Sequence, residues 1–442
     1  MQETAFDPAE AGAALAQLPQ RAAVFALYGA EARDEPYIGR TPNLRGRLER
    51  LLRPSARHPR RLQLAGRVRR IAWRLTGSDF ESLLMQFSLL TEVYGEKALE
   101  RMHLRAPAFV RFLGANAYPR VTVTNRPSQR EAGWAYGPFA SRSAAERYAE
   151  EMGKLFLLRR CVEDLAPDPR HPGCVYSEMK MCLAPCYRGC TDERYGEEAR
   201  AVERFLATRG ESRLVQLRAE RDEASARLEY EAAAAIHAQV ARVESVRALT
   251  PELARPMGEL RAAILQAAAE PDAVAVFLYE NGRLRGPAAF STLGMRVPNE
   301  QSGSTSLFAH PAMVEPAPEE AGKAGPGGQG KRAEIRGLEA EENEHASVVE
   351  SRRDPPVRMA RTVLDARLEA VLRALSEDGG APTAMVRQGH LALLKRWYYR
   401  PETRRPGEIF FADGEGVWPV KAMLRGMGRV AAKMMTGRDE SA

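Results

Sequence analysis

Five cysteines fall between residues 161 and 190, and the other 412 residues of this 442-residue chain contain none. Four of them, Cys161, Cys174, Cys182 and Cys186, occupy 26 residues, with 12, 7 and 3 residues between successive thiols. Cys190 follows four residues later. Thiols used as core filler would be scattered along the chain. Thiols crowded like this require the segment to fold back on itself, as a soft-ligand cage for a metal or an iron–sulfur cluster does. The three-residue gap between Cys182 and Cys186 also suits zinc. Two plainer readings stand beside these: buried thiols without a ligand, and disulfides, which need an oxidising compartment. Met1 to Gln20 carries early acidic residues and lacks the apolar core of a signal peptide. No apolar run is long enough to span a membrane. The expectation is a cytoplasmic chain with reduced thiols and no membrane partner.

The length corresponds to about three domains. The net charge is +7, but its distribution matters more than its sum. Arg40 to Arg74 contains 12 arginines, no lysine and a single acid, Glu49. Such a stretch produces a field suited to a polyanion such as a nucleic-acid backbone. The plain alternative is a solvated arginine-rich face in a chain rich in arginine throughout.

Residues 22–28 read as a short buried strand, 35–39 as its partner and Gly29 to Asp34 as the turn. Leu44, Leu48, Leu51 and Leu52 then recur at helical spacing, with Arg45, Arg47 and Arg50 on other faces and Pro54 as a stop. Val68 to Leu75 reads as a strand, and Ser78 or Asp79 caps a helix over Phe80 to Val93. A strand is expected over Arg120 to Thr124, a turn-rich segment over Trp134 to Phe139 and a helix from Ser143 to Leu157. Helices follow over Asp192 to Thr208 and Glu211 to Leu249. The latter is 39 residues without Gly or Pro; as one helix it would extend about 58 Å, so a hairpin is favoured. Asn281-Gly282 predicts a β-hairpin between 273–279 and 283–290. Residues 299–356, rich in Gly, Pro, Glu and Ser, read as a disordered linker. A helix over Arg358 to Leu375 comes next. The apolar, aromatic stretch His390 to Tyr399 reads as core in preference to a base-stacking platform. A second hairpin is expected around Asp413-Gly414, between Ile409–Phe411 and Val417-Trp418. Ala422 to Met435 reads as a basic helix that either lies on DNA or packs amphipathically.

These residues resemble the UvrC family, the incision component of the bacterial nucleotide excision repair excinuclease, over about residues 18–250. Ala23-Val24-Phe25 stands where its GIY-YIG nuclease domain has Gly-Val-Tyr, and Tyr37-Ile38-Gly39 matches the second half of the motif. Arg40 to Arg47 follows the pattern of Lys, two residues, Asn-Leu-Lys, one residue, Arg. Glu81 to Gln86 lies where the family reads Glu-Ala-Leu-Leu-Leu-Glu. Tyr118-Pro119, Tyr136-Gly137-Pro138-Phe139 and, above all, Met179 to Cys186 fit the central segment. The family's four cysteines fall on Cys161, Cys174, Cys182 and Cys186, which implies a 4Fe-4S cluster, with zinc as the alternative. Leu228 to Ala233 resembles the UVR motif. That implies docking of a 211–249 hairpin on UvrB, the helicase-like component of the excinuclease, although the family's following Arg-Asp pair is His237-Ala238 here.

Phosphodiester hydrolysis needs an activated water, a metal and a cation on the phosphate. The resemblance assigns water activation to tyrosines, phosphate contact to an arginine, and magnesium or manganese to a glutamate. Tyr37 and Arg47 are retained. Phe25 lacks the first hydroxyl, Arg40 replaces the lysine, and Gln86 replaces the metal-binding glutamate with an uncharged amide. The site is therefore expected to be severely impaired or inactive, with Arg45, Arg47 and Arg50 as DNA contacts. No ribonuclease-H-like half is recognisable after residue 250.

The expected architecture is multidomain α/β. It comprises a GIY-YIG-like unit over 18–100, a cysteine-rich module over 105–191 and a helical hairpin over 192–250. A C-terminal α/β region over 257–298 and 357–442 is interrupted by the 299–356 linker. Two functions remain open: a DNA-binding repair component with a degenerate incision site, and a non-catalytic accessory protein that uses the nuclease fold as a surface.

Overall fold

The computed structural model describes residues 1–31, 33–52, 64, 66–293, 295, 360–377 and 380–439. The expected linker, 299–356, lies outside the described residues, as do Arg53, Arg57, Arg60 and Arg61 of the basic run. The fold is mixed α/β, built on three four-stranded antiparallel sheets.

The first sheet comes from β1 (Gln2–Ala5), β2 (Ala23–Tyr28), β3 (Tyr37–Thr41) and β4 (Arg70–Leu75), in the order β1-β4-β2-β3. Helices α1 (Ala11–Ala16) and α2 (Leu44–Leu52) cover one face, with Leu15, Phe25, Leu27, Leu44 and Leu48 in a common core. β1 and α1 were not foreseen, because a short, mostly exposed Gln-Glu-Thr-Ala stretch and six mostly small residues carry no clear period. Helix α3 (Asp79–Tyr94) follows, then the single turn α4 (Ala98–Arg101). The Ser78 hydroxyl caps α3 by accepting the Glu81 N–H at 3.1 Å, and the Glu81 carboxylate reaches back to accept the Gly77 N–H at 2.8 Å.

The second sheet, in the order β6-β5-β7-β8, holds β5 (Ala108–Phe112), β6 (Val121–Thr124) and β7 (Ala135–Phe139). Helices α5 (Arg142–Gly153), α6 (Val175–Glu178), α7 (Asp192–Ala207), α8 (Glu211–Ala226) and α9 (Tyr230–Ala248) precede its short edge strand β8 (Arg255–Pro256). The expected turn over 134–139 is thus a fully buried strand. Its Gly137-Pro138 pair falls where the β5–β7 register slips, so the missing proline N–H leaves no regular rung unmade. The 39-residue stretch does fold as a hairpin. Helices α8 and α9 meet at Arg227 to Glu229, where Leu228 adopts φ of 63°.

The third sheet, in the order β11-β10-β9-β12, is formed by β9 (Ala262–Ala267), β10 (Ala273–Glu280), β11 (Arg283–Ser291) and later β12 (Glu408–Phe411). Asn281 and Gly282 turn the β10–β11 hairpin with φ of 52° and 79°, as a two-residue loop with both central residues left-handed requires. Helices α10 (Arg361–Glu377), α11 (Ala384–Tyr398) and α12 (Val420–Asp439) complete the chain. The second expected hairpin does not form. The Asp413 carboxylate accepts the N–H groups of Glu415 and Val417, closing a loop, while Ile409 to Phe411 pairs with β9. The terminal helix packs amphipathically: Met423, Leu424, Met427 and Val430 are buried with α10 against one face of this sheet.

Alternation along β10 sends Val274, Val276 and Leu278 to that face, and Ala275, Phe277 and Tyr279 to the other. The second face is covered by α11 and also by α3, which belongs by sequence to the first unit. Phe80 meets Phe277 and Trp397 at ring-centroid distances of 5.2 and 5.6 Å, and Phe87 meets His390 at 5.5 Å. At Gly389 a Cβ would stand 2.1 Å from the Phe87 ring, so the two helices touch where only glycine fits. Helix α3 also contacts the first sheet through Ile38, which joins the same cluster. Trp397 is fully buried and donates its indole N–H to the Pro406 carbonyl at 3.1 Å. Trp397→Ala is expected to cost about 3–5 kcal/mol in denaturant unfolding; a loss below about 1 kcal/mol would contradict this packing.

Candidate functional site

The strand alternation that builds the first sheet also divides the expected nuclease residues between its faces. Phe25 and Tyr37 lie on the α1–α2 face, with ring centroids 6.1 Å apart. Phe25 pairs across the ladder with Gly39, where a Cβ would come within 2.8 Å of the phenyl ring. The ring therefore fills the space that a glycine leaves. On α2, Arg45 donates from Nε to the Leu18 carbonyl at 2.6 Å and Arg50 to the Gly46 carbonyl at 3.0 Å. Both are partly spent on the chain itself. Arg47 is half-buried, and its guanidinium makes no hydrogen bond or ion pair among the described residues.

Arg40 is on the opposite, α3-facing side and forms an ion pair with Asp79. A second guanidinium, from Arg400 just beyond α11, donates to the other Asp79 oxygen at 2.7 Å. Burial alone would raise the Asp79 pKa, but the Arg400 hydrogen bond and the charges of Arg40 and Arg400 outweigh it and hold the carboxyl below its usual range. Gln86 follows Asp79 by seven residues, about two turns along the same side of α3. It is half-buried. Glu81 does not substitute for a carboxylate there. It is buried, faces the Gly77 amide, and burial raises its pKa. Five residues of helix also rotate it about 140° from Gln86. Neither Asp79 nor Arg400 was foreseen: 321 residues separate them, and neither belongs to a recognisable pattern.

Around the cysteines the chain makes tight turns, with left-handed φ at Lys180, Ala184 and Arg188. The Cys182 thiol is pushed up to about 11, first by burial and then by Cys161, Cys186 and Cys174. Burial likewise raises Cys186, which also feels Cys174 and Cys161. Four thiols thus share one neighbourhood. N–H donors already reach two of the sulfurs: Ala184 N–H to Cys182 Sγ at 3.2 Å, and Arg159 Nη1 to Cys161 Sγ at 3.5 Å. Such donors suit thiolates that carry a metal. Even so, among the described residues no three His, Cys, Asp or Glu side chains converge on a common centre. Cys190 stands apart, perturbed by burial and then by Asp192 and Arg194, and by no other thiol. All five are free thiols. Helix α7 seals the module: the Tyr195 hydroxyl donates to the Pro119 carbonyl at 2.8 Å and accepts the Arg159 N–H at 3.1 Å.

Residues 109–205, from β5 to near the end of α7, match the middle domain of the UvrC/Cho excinucleases. This match contains every cysteine. The UvrABC system protein C of Pseudomonas syringae is 29% identical over 242 residues, 55% of this chain and 39% of its own length. That of Alcanivorax borkumensis is 28% identical over 211 residues, 48% of this chain and 34% of its own. That of Pseudomonas aeruginosa is 27% identical over 238 residues, 54% and 39%. The chain is a relative of the UvrC family. The similarity spans about two fifths of the length of these UvrC proteins. No solved structure matches the chain. Among the described residues no helix is long and apolar enough to cross a membrane.

The Asp79 carboxylate ties the first unit to α11, and its lowered pKa fixes the pH dependence of that tie. A depressed carboxylate contributes its stability in full above its unfolded pKa of about 3.9 and loses it as pH falls through the lower folded value. Asp79→Asn should therefore lower the melting temperature at neutral pH and flatten its decline below about pH 4. An unchanged acid limb in the variant would contradict the assignment.

Proposed function

We propose that this chain is a UvrC-type DNA-binding component of nucleotide excision repair whose nuclease-like unit is degenerate. The match of residues 109–205 to the excinuclease middle domain carries this reading. The degeneracy is supported by chemistry at three positions. Phe25 has no hydroxyl, Gln86 offers a neutral amide where a divalent ion prefers carboxylate oxygen, and the Arg40 guanidinium is engaged by Asp79. Tyr37 remains for water activation and Arg47 for phosphate contact. A non-catalytic accessory role, with the sheet and α2 as a DNA-binding surface, is the second reading, favoured by the unpartnered Arg47.

Cys161, Cys174, Cys182 and Cys186 would hold a 4Fe-4S cluster, zinc being the other occupant compatible with an all-sulfur donor set. The cluster would serve as a structural rivet between the β5–β7 sheet and α7. A cytoplasmic setting suits the free thiols. The α8–α9 hairpin would offer its tip to UvrB, the helicase-like excinuclease component, with Leu228 68% and Tyr230 67% exposed there.

The test uses full-length protein purified without oxygen and assayed for metal. It is then given lesion-containing duplex with the two other excinuclease components and magnesium or manganese. About four irons per chain are expected, with little incision by the native protein and a gain in Gln86→Glu. Strong native incision lost in Arg47→Ala would overturn the degenerate-site reading, and zinc or no metal would overturn the cluster.

A further inference from the structure

A groove runs between the first unit, the cysteine module and the C-terminal region, away from both sites described above. One part, of about 1060 Å³, is bounded by α4 and the segment after it, with Lys97, His103 and Arg105 on its wall. It continues into a second part of about 770 Å³, walled by the β6–β7 connection with Arg126 and Arg130. Arg126, Ala384 and Gln388 line both parts, so the two form one channel floored by the first turns of α11.

Single exposed arginines elsewhere, such as Arg200 and Arg373, also lack an ion pair among the described residues; the cations here are set apart by lining one groove together. Neighbouring Arg101 is paired with Glu35, and exposed Arg70, Arg142 and Arg194 each have an acidic partner. Arg105, Arg126 and Arg130 are exposed, and among the described residues their guanidinium groups have no hydrogen bond or ion pair. Like charges gathered in excess of counter-charges destabilise a fold slightly and suit an anionic ligand. Inside the wall, Lys395 is held below its usual pKa by burial and then by Arg105, so the positive potential extends behind the surface. Among the described residues, the acids of the groove, Glu96 and Glu100, lie at the α4 end. Below Arg126 and Arg130 the floor mixes apolar Pro107, Phe109, Pro382 and Leu391 with polar Asn125 and Gln388. A charged rim over a partly apolar floor matches a strand that presents phosphates outward and sugars or bases inward.

We propose that this groove holds a nucleic-acid strand, with its phosphodiester backbone on Arg105, Arg126 and Arg130. The inference rests on the DNA-binding reading above and adds a path: the strand crosses from the first unit over the β6–β7 connection onto α11. Because α11 lies far outside the 109–205 match, the C-terminal region is part of the DNA-binding surface and not merely a scaffold.

The experiment measures binding of fluorescent single-stranded and duplex oligonucleotides by full-length protein across a salt series. The variant is Arg105→Ala, Arg126→Ala and Arg130→Ala combined. Three lost phosphate contacts should weaken binding at least about tenfold at low salt and reduce the slope of log K against log salt by about 2–3. The corresponding triple Arg→Lys variant should retain most of the affinity. A charge-matched control, Arg33→Ala, Arg170→Ala and Arg227→Ala, removes three exposed cations elsewhere and should change little. Equal binding and slope in the groove variant and native protein would overturn the groove while leaving the DNA reading intact. Equal losses in the control, or in the lysine variant, would overturn it as well. Native protein that binds neither oligonucleotide would instead overturn the DNA-binding reading itself. Whether the single strand or the duplex shows the larger change identifies which form of DNA occupies the groove.

Discussion

The burial of α3 between two sheets is the contact on which the rest of this structure depends. Its buried apolar residues, Phe80, Leu83, Leu84, Phe87 and Leu90, recur at helical spacing and form one wide stripe. The small first sheet reaches that stripe only at its edge, through Ile38, and the stripe is kept from water by Phe277, Tyr279, Leu391, Leu394 and Trp397 from the C-terminal region. Two close approaches, Gly389 at Phe87 and Gly77 at the Ala267–Ala268 backbone, leave no room for a side chain and fix the spacing. The first unit and the C-terminal region thus share a core, although about 180 residues of sequence separate α3 from β10.

This arrangement has a chemical consequence. It delivers Arg400 to Asp79, at the head of α3, and so gathers two guanidinium groups on one carboxylate. In the family resembled, the Arg40 position carries a lysine of the nuclease centre. Here the same position is drawn into an internal ion pair, on the sheet face opposite Phe25 and Tyr37. On the proposed degenerate reading, in which Gln86 stands where a metal carboxylate would, using Arg40 structurally costs the chain little. Its remaining capacity for nucleic acid would then reside in unpaired cations: Arg47 on α2, and Arg105, Arg126 and Arg130 along the groove.

Much of this was legible in the sequence, and the exceptions have physical causes. Local patterns revealed β2, α2, α3 and the Asn281-Gly282 turn, and the excessive length of the 211–249 stretch as a single helix revealed the α8–α9 hairpin. Strand β9 was missed because three of its six residues are alanine, which gives a weak strand pattern. Strand β7 looked like a turn because Gly137-Pro138 is turn chemistry, and only its place at a register slip makes the pair tolerable in a sheet. Val417-Trp418 looked like a strand because both residues are apolar, but Trp418 packs against the α10–α12 cluster and Val417 is left exposed. The cysteine spacing implied a metal or cluster cage, and among the described residues the thiols do not converge on a common centre. The Asp79–Arg400 clasp had no sequence pattern, since it exists only through the α3–α11 packing.

The central claim is that α3 unites the first unit and the C-terminal region into one folding body. Native-state hydrogen exchange tests it most directly, by comparing opening free energies for α3, β10 and α11 as denaturant rises. The shared core predicts that Leu83 to Leu90, Val274 to Leu278 and Leu391 to Leu394 open with one free energy and one denaturant slope. Exchange of α3 through a lower-energy opening with β2 to β4, while β10 and α11 stay closed, would contradict it.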